Sequence, residues 1–227
     1  RLQTFPAPPG LLGATLFMFQ GCNMLQYMHM HAVAIVAHIP WLIVLDDIVL
    51  HTRNRRHLAA AQLGITLLTA SQILLGYPYY VYYSTVAEGI YILWVYRSWV
   101  SWRRFGLLFF AKLLAFAVAM MQLIPTWNNL QESIRATPDL TFRMGFSMHP
   151  LNILQLWSPF AFKDRYFAEQ RWTDGNTHEM GLYMGAIATV SLFWLWLRRK
   201  HLGRFRKLAI SVAIFGGVML VISLGRY

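Results

Sequence analysis

The chain has a single cysteine, Cys22, and few acids: nine Asp and Glu in 227 residues, against 20 Lys and Arg. One cysteine cannot build a disulfide framework or a cysteine-based metal site, which excludes disulfide-rich domains and zinc fingers. Charged residues make up only 13% of the chain and hydrophobic residues 57%. A soluble domain of this size needs far more polar surface. The composition therefore predicts a membrane protein.

Two features of an N-terminus are also missing. The chain begins with RLQTFPAPPG, which has no initiator Met and no signal-peptide pattern of basic start, apolar middle and small-residue cleavage site. We therefore expect the sequence to be part of a longer protein. No low-complexity tract, fixed-period repeat or flexible linker interrupts it, which predicts one continuous transmembrane domain over residues 1–227.

Long apolar stretches, in contrast, are abundant. A bilayer core about 30 Å thick needs about 20 apolar helical residues to cross it, because backbone amides in lipid must be bonded internally. Seven stretches fit, which predicts an all-α fold: a polytopic transmembrane helix bundle with one long outer loop, 125–179, that contains short interfacial helices. The predicted spans are 10–28, 30–50, 58–76, 78–96, 105–124, 180–197 and 207–225.

Basic residues gather in three short connections between these spans. Residues 51–57, 97–104 and 198–207 carry twelve cations and no carboxylate, whereas 125–179 carries six of the nine acids. By the positive-inside rule, the three basic connections are predicted to be cytoplasmic and 125–179 extracytoplasmic.

The spacing of these cations argues against nucleic-acid binding. A nucleic-acid interface gathers its cations on one soluble face with aromatics between them. Here membrane-length helices separate the basic clusters, which recur at every second connection. Membrane lipids, with anionic headgroups at the basic connections, are the expected partners.

Several polar residues near or inside the spans have predictable positions. Lys112, inside the fifth span, is predicted to snorkel back to the headgroups. Asp46 and Asp47 lie at the cytoplasmic end of the second span and are expected to pair with nearby arginines. Pro125 is predicted to bend or end the fifth helix, with a separate amphipathic helix continuing through Arg135.

Glu88 is the main candidate for function, because it is the only carboxylate near the middle of a span. An ionisable group at that depth is costly and should face protein or a water-filled cavity. The alternative is a hydrogen-bonded Glu that fixes helix packing beside Gly89. The sequence leaves both interpretations open.

Histidines are a second group of candidates. His29, His31 and His38 lie at the outer end and upper third of the second span. His31 and His38 are seven residues apart and share a helix face, but His29 and His31 do not, so one metal ion cannot easily collect all three. We predict no metal site and keep His31 as a candidate cavity residue.

Near the end of the long outer segment, His178 and Glu179 stand where the chain re-enters the membrane. A carboxylate there can orient a hydroxyl acceptor or bind a cation. The favoured alternative is helix capping, with Asn176 or Thr177 as the N-cap and Glu179 stabilised by the helix dipole. The segment 125–179 as a whole is either a functional loop or a cap over helix ends.

Seven stretches resemble a known family, in matching order along nearly the whole chain. They are GATLFMFQG, HMHAVAIVAHIPWLIVL, ASQILLGYPYYVYYS, MQLIPTWNNLQES, HPLNILQLWSPFAF, HEMGLYMGA and SLGRY. The chain resembles the YfhO family of bacterial multi-pass membrane proteins, which is similar to the class C (GT-C) glycosyltransferases. Such enzymes move a sugar from a polyprenyl-phosphate carrier to an acceptor on the outer membrane face. The resemblance implies a location in a bacterial plasma (inner) membrane.

The resemblance implies where substrates bind. The polar first span with Gln20, Asn23 and Gln26, the tyrosine-rich outer end of the fourth span with Tyr79, and 125–179 would line the carrier groove and acceptor cleft. A carboxylate would deprotonate the acceptor, and a divalent cation is a possible cofactor, although none is visible in the sequence.

The catalytic residue itself stays unknown. In class C enzymes the key acid lies in the first outer loop, which is expected to precede Arg1. Two other classes of function stay open. One is a transporter or flippase of amphiphilic substrates, motivated by Glu88 and the interrupted first span. The other is a noncatalytic membrane scaffold.

Overall fold

A computed structural model describes residues 7–20, 23, 29–96, 102–133, 135–137, 148–158, 182–183, 185–203 and 206–224. These residues form helices and connecting turns, with no strand among them, so the predicted all-α class is confirmed. The chain folds as two compact units. The described residues from His29 to Ala136 belong to the first unit, and those up to Met28 or from Thr137 onward belong to the second.

Four long helices make up the first unit, numbered here after α1 of the second unit. They are α2 (Met30–His51), α3 (Arg55–Leu74), α4 (Pro78–Tyr96) and α5 (Trp102–Gln131). Short turns at 52–54 and 75–77 make α2, α3 and α4 run antiparallel to one another in succession. Helix α3 packs against α2 and α5, and α2 packs against α4. The apolar core joins three of the helices through Leu42, Val49, Leu50, Ala61, Ile65, Leu108 and Ala111.

The turn between α2 and α3 is held by local hydrogen bonds. Asn54 is the N-cap of α3, and its side chain accepts a hydrogen bond of 2.9 Å from the Arg56 amide. Arg104 of α5 donates to the carbonyl oxygens of Val49 and Thr52 at 3.0 and 2.6 Å. These carbonyls lie at the C-terminal end of α2, where a helix lacks internal donors. We call this end of the unit, with the 52–54 turn and the start of α5, the basic end.

The opposite end is shaped by glycine and proline. Gly76 has φ +80°, a left-handed conformation that glycine adopts without steric cost. Pro78 then begins α4, where its missing amide hydrogen is not needed for the helix. The chain reverses direction in this turn, so α2 and α4 both begin at this end.

Within the part of the chain that the structure describes, three helices are long and apolar enough to cross a membrane: α2, α3 and α5. Large apolar side chains of α5 point outward, and Phe109 and Met121 are 65% and 77% exposed. Such a surface needs lipid or protein to cover it. These helices support the prediction of a multi-pass membrane protein, whereas the seven spans, the inner membrane and the orientation stay predictions.

Pro125 does not end the fifth helix, so the prediction of an end there with a separate helix after it is wrong, whereas a bend at Pro125 stays a prediction. Pro125 lies inside α5, which continues to Gln131 without a separate second helix. Proline removes one backbone hydrogen bond, and a helix of 30 residues retains enough others to continue through it. The helix ends instead in a serine turn, where the Ser133 hydroxyl donates to Leu130 O at 2.8 Å.

The second unit contains shorter helices. Helix α1 (Ala7–Met18) covers the first part of predicted span 10–28 and ends before Gln20, and the Asn23 side chain donates to Phe17 O at 2.8 Å. A short 3-10 helix covers Pro150–Leu156, within the predicted outer loop. Two apolar helices follow, α6 (Ala186–Leu197) and α7 (Arg206–Ser223), with a 3-10 turn at Arg199–His201 between them.

Two hydrogen bonds attach the 150–156 region to these apolar helices. Thr189 of α6 donates through its hydroxyl to Leu156 O at 2.9 Å. The Met148 amide donates to Ser223 O, at the end of α7, at 2.7 Å. The short helix is therefore anchored at both ends, whereas its predicted place at the membrane surface stays a prediction.

Candidate functional site

The interior of the four-helix unit is unusually polar for a protein with membrane-length helices. Seven of its buried residues are polar or charged, and all four helices contribute to the cluster once Lys112 of α5 is counted. Burying such groups is costly unless each finds a partner. The buried polar residues are Asp46, Asp47, Thr66, Thr69, Gln72, Ser84 and Glu88.

An ion pair lies at the centre of this interior. Lys112 Nζ is 2.6 Å from Glu88 Oε2 and donates to Thr69 Oγ1 at 2.9 Å. The side chain of Glu88 is 3% exposed and that of Lys112 23% exposed. The prediction that Lys112 snorkels to the headgroups is therefore wrong, because a carboxylate within the protein offers a nearer partner.

A chain of hydrogen bonds also connects Glu88 to α3 and α2. The Ser84 hydroxyl donates to Glu88 Oε1 at 3.3 Å, and Gln72 Nε2 donates to Ser84 Oγ at 3.0 Å. Gln72 Nε2 also lies 3.0 Å from Ile35 O of α2. One polar network thus links α2, α3, α4 and α5 across the centre of the unit.

Asp46 differs from the other members because nothing donates to it. It is fully buried, and among the described residues neither carboxylate oxygen has a hydrogen-bond partner. Glu88 and Lys112 are the charged side chains that act on it most strongly. We call Asp46, Glu88 and Lys112 the buried charge cluster.

Asp47 points in another direction, toward the basic end. Its Oδ1 accepts a hydrogen bond of 2.7 Å from the Tyr91 hydroxyl and lies 3.1 Å from His51 Nδ1. The prediction that Asp46 and Asp47 pair with arginines is therefore wrong. Arg104 instead donates to carbonyl oxygens at the end of α2, which have no other helical donor.

An open pocket lies beside Asp47 and His51. It has a volume of about 560 Å³, and its lining includes Asp47, His51, Thr52 and His57. The His51 side chain is 41% exposed. The polar interior therefore approaches the protein surface at the basic end.

A cluster of rings lies at the opposite end of the unit, where α2 and α4 begin. His31 and Tyr77 have ring centroids 4.4 Å apart, and neighbouring rings continue the series at 5.6 to 6.5 Å. The ring centroids of His29 and His31 are 6.0 Å apart. The two rings can approach because His29 is the N-cap residue before α2 and does not have helical backbone geometry. We call this set the aromatic cluster: His29, His31, Tyr77, Tyr80, Tyr82 and Tyr83.

The predicted site residues fall into separate places. Glu88 lies in the buried charge cluster, His31 belongs to the aromatic cluster, and Tyr79 is an exposed side chain beside it. Gln20 and Asn23 follow α1 in the second unit. Three further candidates lie outside the described residues: Gln26, His178 and Glu179.

Asp46 and Lys112 are functional candidates that the sequence reasoning missed. At 1.5 Å per residue, Glu88 lies about 12 Å from the end of α4 and Lys112 about 15 Å from the start of α5. These two helix ends are joined by the 97–101 connection. Opposite charges at similar depth on consecutive antiparallel helices were the signal that could have revealed the pair.

Metal binding finds no ready site among these residues. Within the described parts of the chain, no three His, Cys, Asp or Glu side chains come together in a way that could hold a metal ion. Comparisons of the chain with protein-family models, with curated proteins and with solved structures each found no match.

Proposed function

We propose that this chain is the membrane-embedded part of a GT-C-like glycosyltransferase that moves a sugar from a polyprenyl-phosphate carrier to an acceptor on the outer membrane face. The observation that carries this proposal is the aromatic cluster, at the end of the four-helix unit opposite the arginines. If the basic end is cytoplasmic, the aromatic cluster lies at the outer interface.

The chemistry of the aromatic cluster suits a lipid-linked sugar. Tyrosine rings combine an apolar face with a hydroxyl, so they favour the membrane interface and can contact both a sugar ring and its hydroxyl groups. Tyr79, Tyr82 and Tyr83 are 62%, 59% and 47% exposed and are free to meet a ligand.

The test uses the full-length protein in lipid vesicles with radiolabelled polyprenyl-phosphate sugars. Replacing Tyr79 and Tyr82 with Leu should raise the KM for the donor by about tenfold, which corresponds to the loss of about 1.4 kcal/mol of binding. The matched control replaces Phe109 and Phe116, two exposed rings of α5, with Leu. Absence of transfer from every donor, or an equal loss in the control, would contradict the proposal.

The buried charge cluster favours a second candidate, a transporter or flippase of amphiphilic substrates. Ionisable residues inside a membrane domain often mark the path of a substrate or ion. Replacing Glu88 with Gln should then slow the movement of a fluorescent lipid across vesicles. Unchanged movement, together with active sugar transfer, would return Glu88 to a packing role.

A further inference from the structure

We propose that the open pocket at the basic end binds one anionic phospholipid, with the lipid phosphate at its mouth and an acyl chain along the outer faces of α2 and α3. The inference concerns the four-helix unit alone. It does not depend on sugar transfer, because the pocket lies at the end of the unit opposite the aromatic cluster. It rests on the position of the pocket between an exposed apolar surface and three exposed arginines.

The lining of the pocket changes from apolar to polar toward the helix ends. The part farther from these ends is lined by four apolar residues of α2 and α3: Leu45, Ile48, Ala60 and Ala61. His51, Thr52 and His57 line the part beside the 52–54 turn, which we call the mouth. The volume of about 560 Å³ lies within the range of small-ligand sites, about 300–1,000 Å³. The pocket therefore suits an amphiphile whose polar head lies at the mouth.

The charge at the mouth favours an anionic head. Three exposed arginines lie in the sequence between Thr52 and His57: Arg53, Arg55 and Arg56. Within the described parts of the chain, none of the three forms an ion pair, and no acid occurs in this stretch. Guanidinium groups are strong donors to phosphate oxygens. Basic pockets between membrane helices are known to bind anionic lipid headgroups.

Asp47 also lines the pocket, but its carboxylate is engaged within the unit. The residue is 5% exposed. Its Oδ1 accepts a hydrogen bond of 2.7 Å from the Tyr91 hydroxyl and lies 3.1 Å from His51 Nδ1. Arg104 is engaged as well, by the carbonyl oxygens of Val49 and Thr52. The three arginines of the turn are therefore the cations available to a phosphate at the mouth.

An exposed apolar surface continues from the pocket toward the other end of the unit. On α2, Trp41 is four residues before Leu45, and on α3, Leu63 and Leu67 are three and seven residues after Ala60. These spacings place the three side chains on the helix faces that line the pocket. They are 66%, 59% and 56% exposed, and such a surface needs lipid or protein to cover it. A phospholipid held at the mouth covers it with an acyl chain, whereas a free phosphate does not.

The test is thermal unfolding of the chain in a neutral detergent with added lipid. Phosphatidylglycerol should raise the Tm more than phosphatidylcholine does at the same concentration, and its titration gives the affinity. Inorganic phosphate and glycerol 3-phosphate should not raise the Tm. Equal stabilisation by the two lipids would overturn the anionic site, and stabilisation by either soluble phosphate as large as that by phosphatidylglycerol would overturn the assignment to a lipid.

A pair of alanine variants locates the acyl chain. Ala60→Phe fills the pocket and should weaken phosphatidylglycerol binding by at least about tenfold, since a buried ligand surface of several CH2 groups is lost. The matched control is Ala59→Phe, which changes the exposed neighbouring residue outside the lining and should leave the affinity unaltered. An equal loss in the two variants would overturn the place of the lipid.

A pair of charge variants locates the phosphate. Arg55→Gln combined with Arg56→Gln should weaken binding by at least about tenfold, because each cation near an anionic lipid surface contributes about fivefold. Arg198→Gln combined with Lys200→Gln removes two exposed cations from another basic connection and should have little effect. Equal losses would show a general attraction to the net charge of the chain and would overturn the site.

Native mass spectrometry of the unmodified chain keeps the proposal falsifiable if a variant does not fold. A chain released from detergent that contains equal amounts of both lipids should retain one phosphatidylglycerol. A chain that retains no lipid, or that retains both lipids equally, would contradict the proposal.

Discussion

Lys112→Met should be among the most destabilising single substitutions in this protein. The change removes the cation that lies 2.6 Å from Glu88 and leaves Glu88 with one hydrogen bond, of 3.3 Å from Ser84. It also leaves two buried carboxyls, Glu88 and Asp46, with no positive charge between them. Removing one partner of a buried pair costs about 3–5 kcal/mol. That is a large part of a typical total stability of about 5–15 kcal/mol.

Removing the other partner, in Glu88→Gln, should lower the stability less than Lys112→Met does. This difference between the two variants is the sharper prediction. In Glu88→Gln, the Asp46 carboxyl still interacts electrostatically with Lys112, so the remaining cation keeps an acidic group in the same interior. The double variant Lys112→Met with Glu88→Gln should recover about 1–3 kcal/mol relative to the sum of the single changes, since residues in contact are strongly coupled.

The assay is thermal unfolding in one detergent, followed by circular dichroism. Lys207→Met, which removes an exposed lysine of α7, is the control and should stay within about 0.5 kcal/mol of the unmodified chain. Two results would refute the reasoning. One is a Lys112→Met variant as stable as this control, and the other is single changes that add without any coupling.

Two smaller predictions use the same unfolding assay. Gly64→Ala should destabilise the protein by about 1 kcal/mol, because a Cβ there would lie 2.9 Å from the Leu45 side chain. In the control Gly106→Ala, the new Cβ has no atom within 4 Å, so this change should be neutral or stabilising. An equal effect at both positions would contradict the close packing of Gly64 against Leu45. Arg104→Met should lower the free energy of unfolding by about 1.5–3 kcal/mol, because it removes the hydrogen bonds to the Val49 and Thr52 carbonyls. Arg103→Met, which changes an exposed arginine, should have little effect. Similar values for the two variants would show that the hydrogen bonds of Arg104 do not stabilise the end of α2.

The helical class was predictable, because apolar stretches of membrane length separated by Arg, Gly and Pro admit few other folds. The direction in which each side chain points around its helix could not be predicted. Asp46 and Asp47 are adjacent in sequence, but successive residues of a helix point about 100° apart. One therefore faces Glu88 in the interior, and the other meets Tyr91 and His51. A pattern that places both near a basic connection does not separate these environments.

The prediction for Lys112 failed for a related reason. Its depth in α5 could be read from the sequence, and at that depth a lysine either reaches the headgroups or meets an acid within the protein. The choice depends on which helix packs beside it, and that follows from long-range contacts. The aromatic cluster shows the same limit, since Tyr77 precedes Pro78 in sequence but contacts His31 on another helix.

The ion pair also constrains how α4 and α5 align. Their charged residues lie at similar depths, about 12 and 15 Å from the basic end. A shift of α5 by one turn, about 5.4 Å, would separate Lys112 from Glu88 and leave each buried charge without its partner. A role in aligning α4 with α5 therefore explains why Lys112 and Glu88 are buried as a pair. Buried polar groups are known to fix the alignment of packed helices in this way. This role does not account for Asp46, a fully buried carboxyl to which no described residue donates a hydrogen bond.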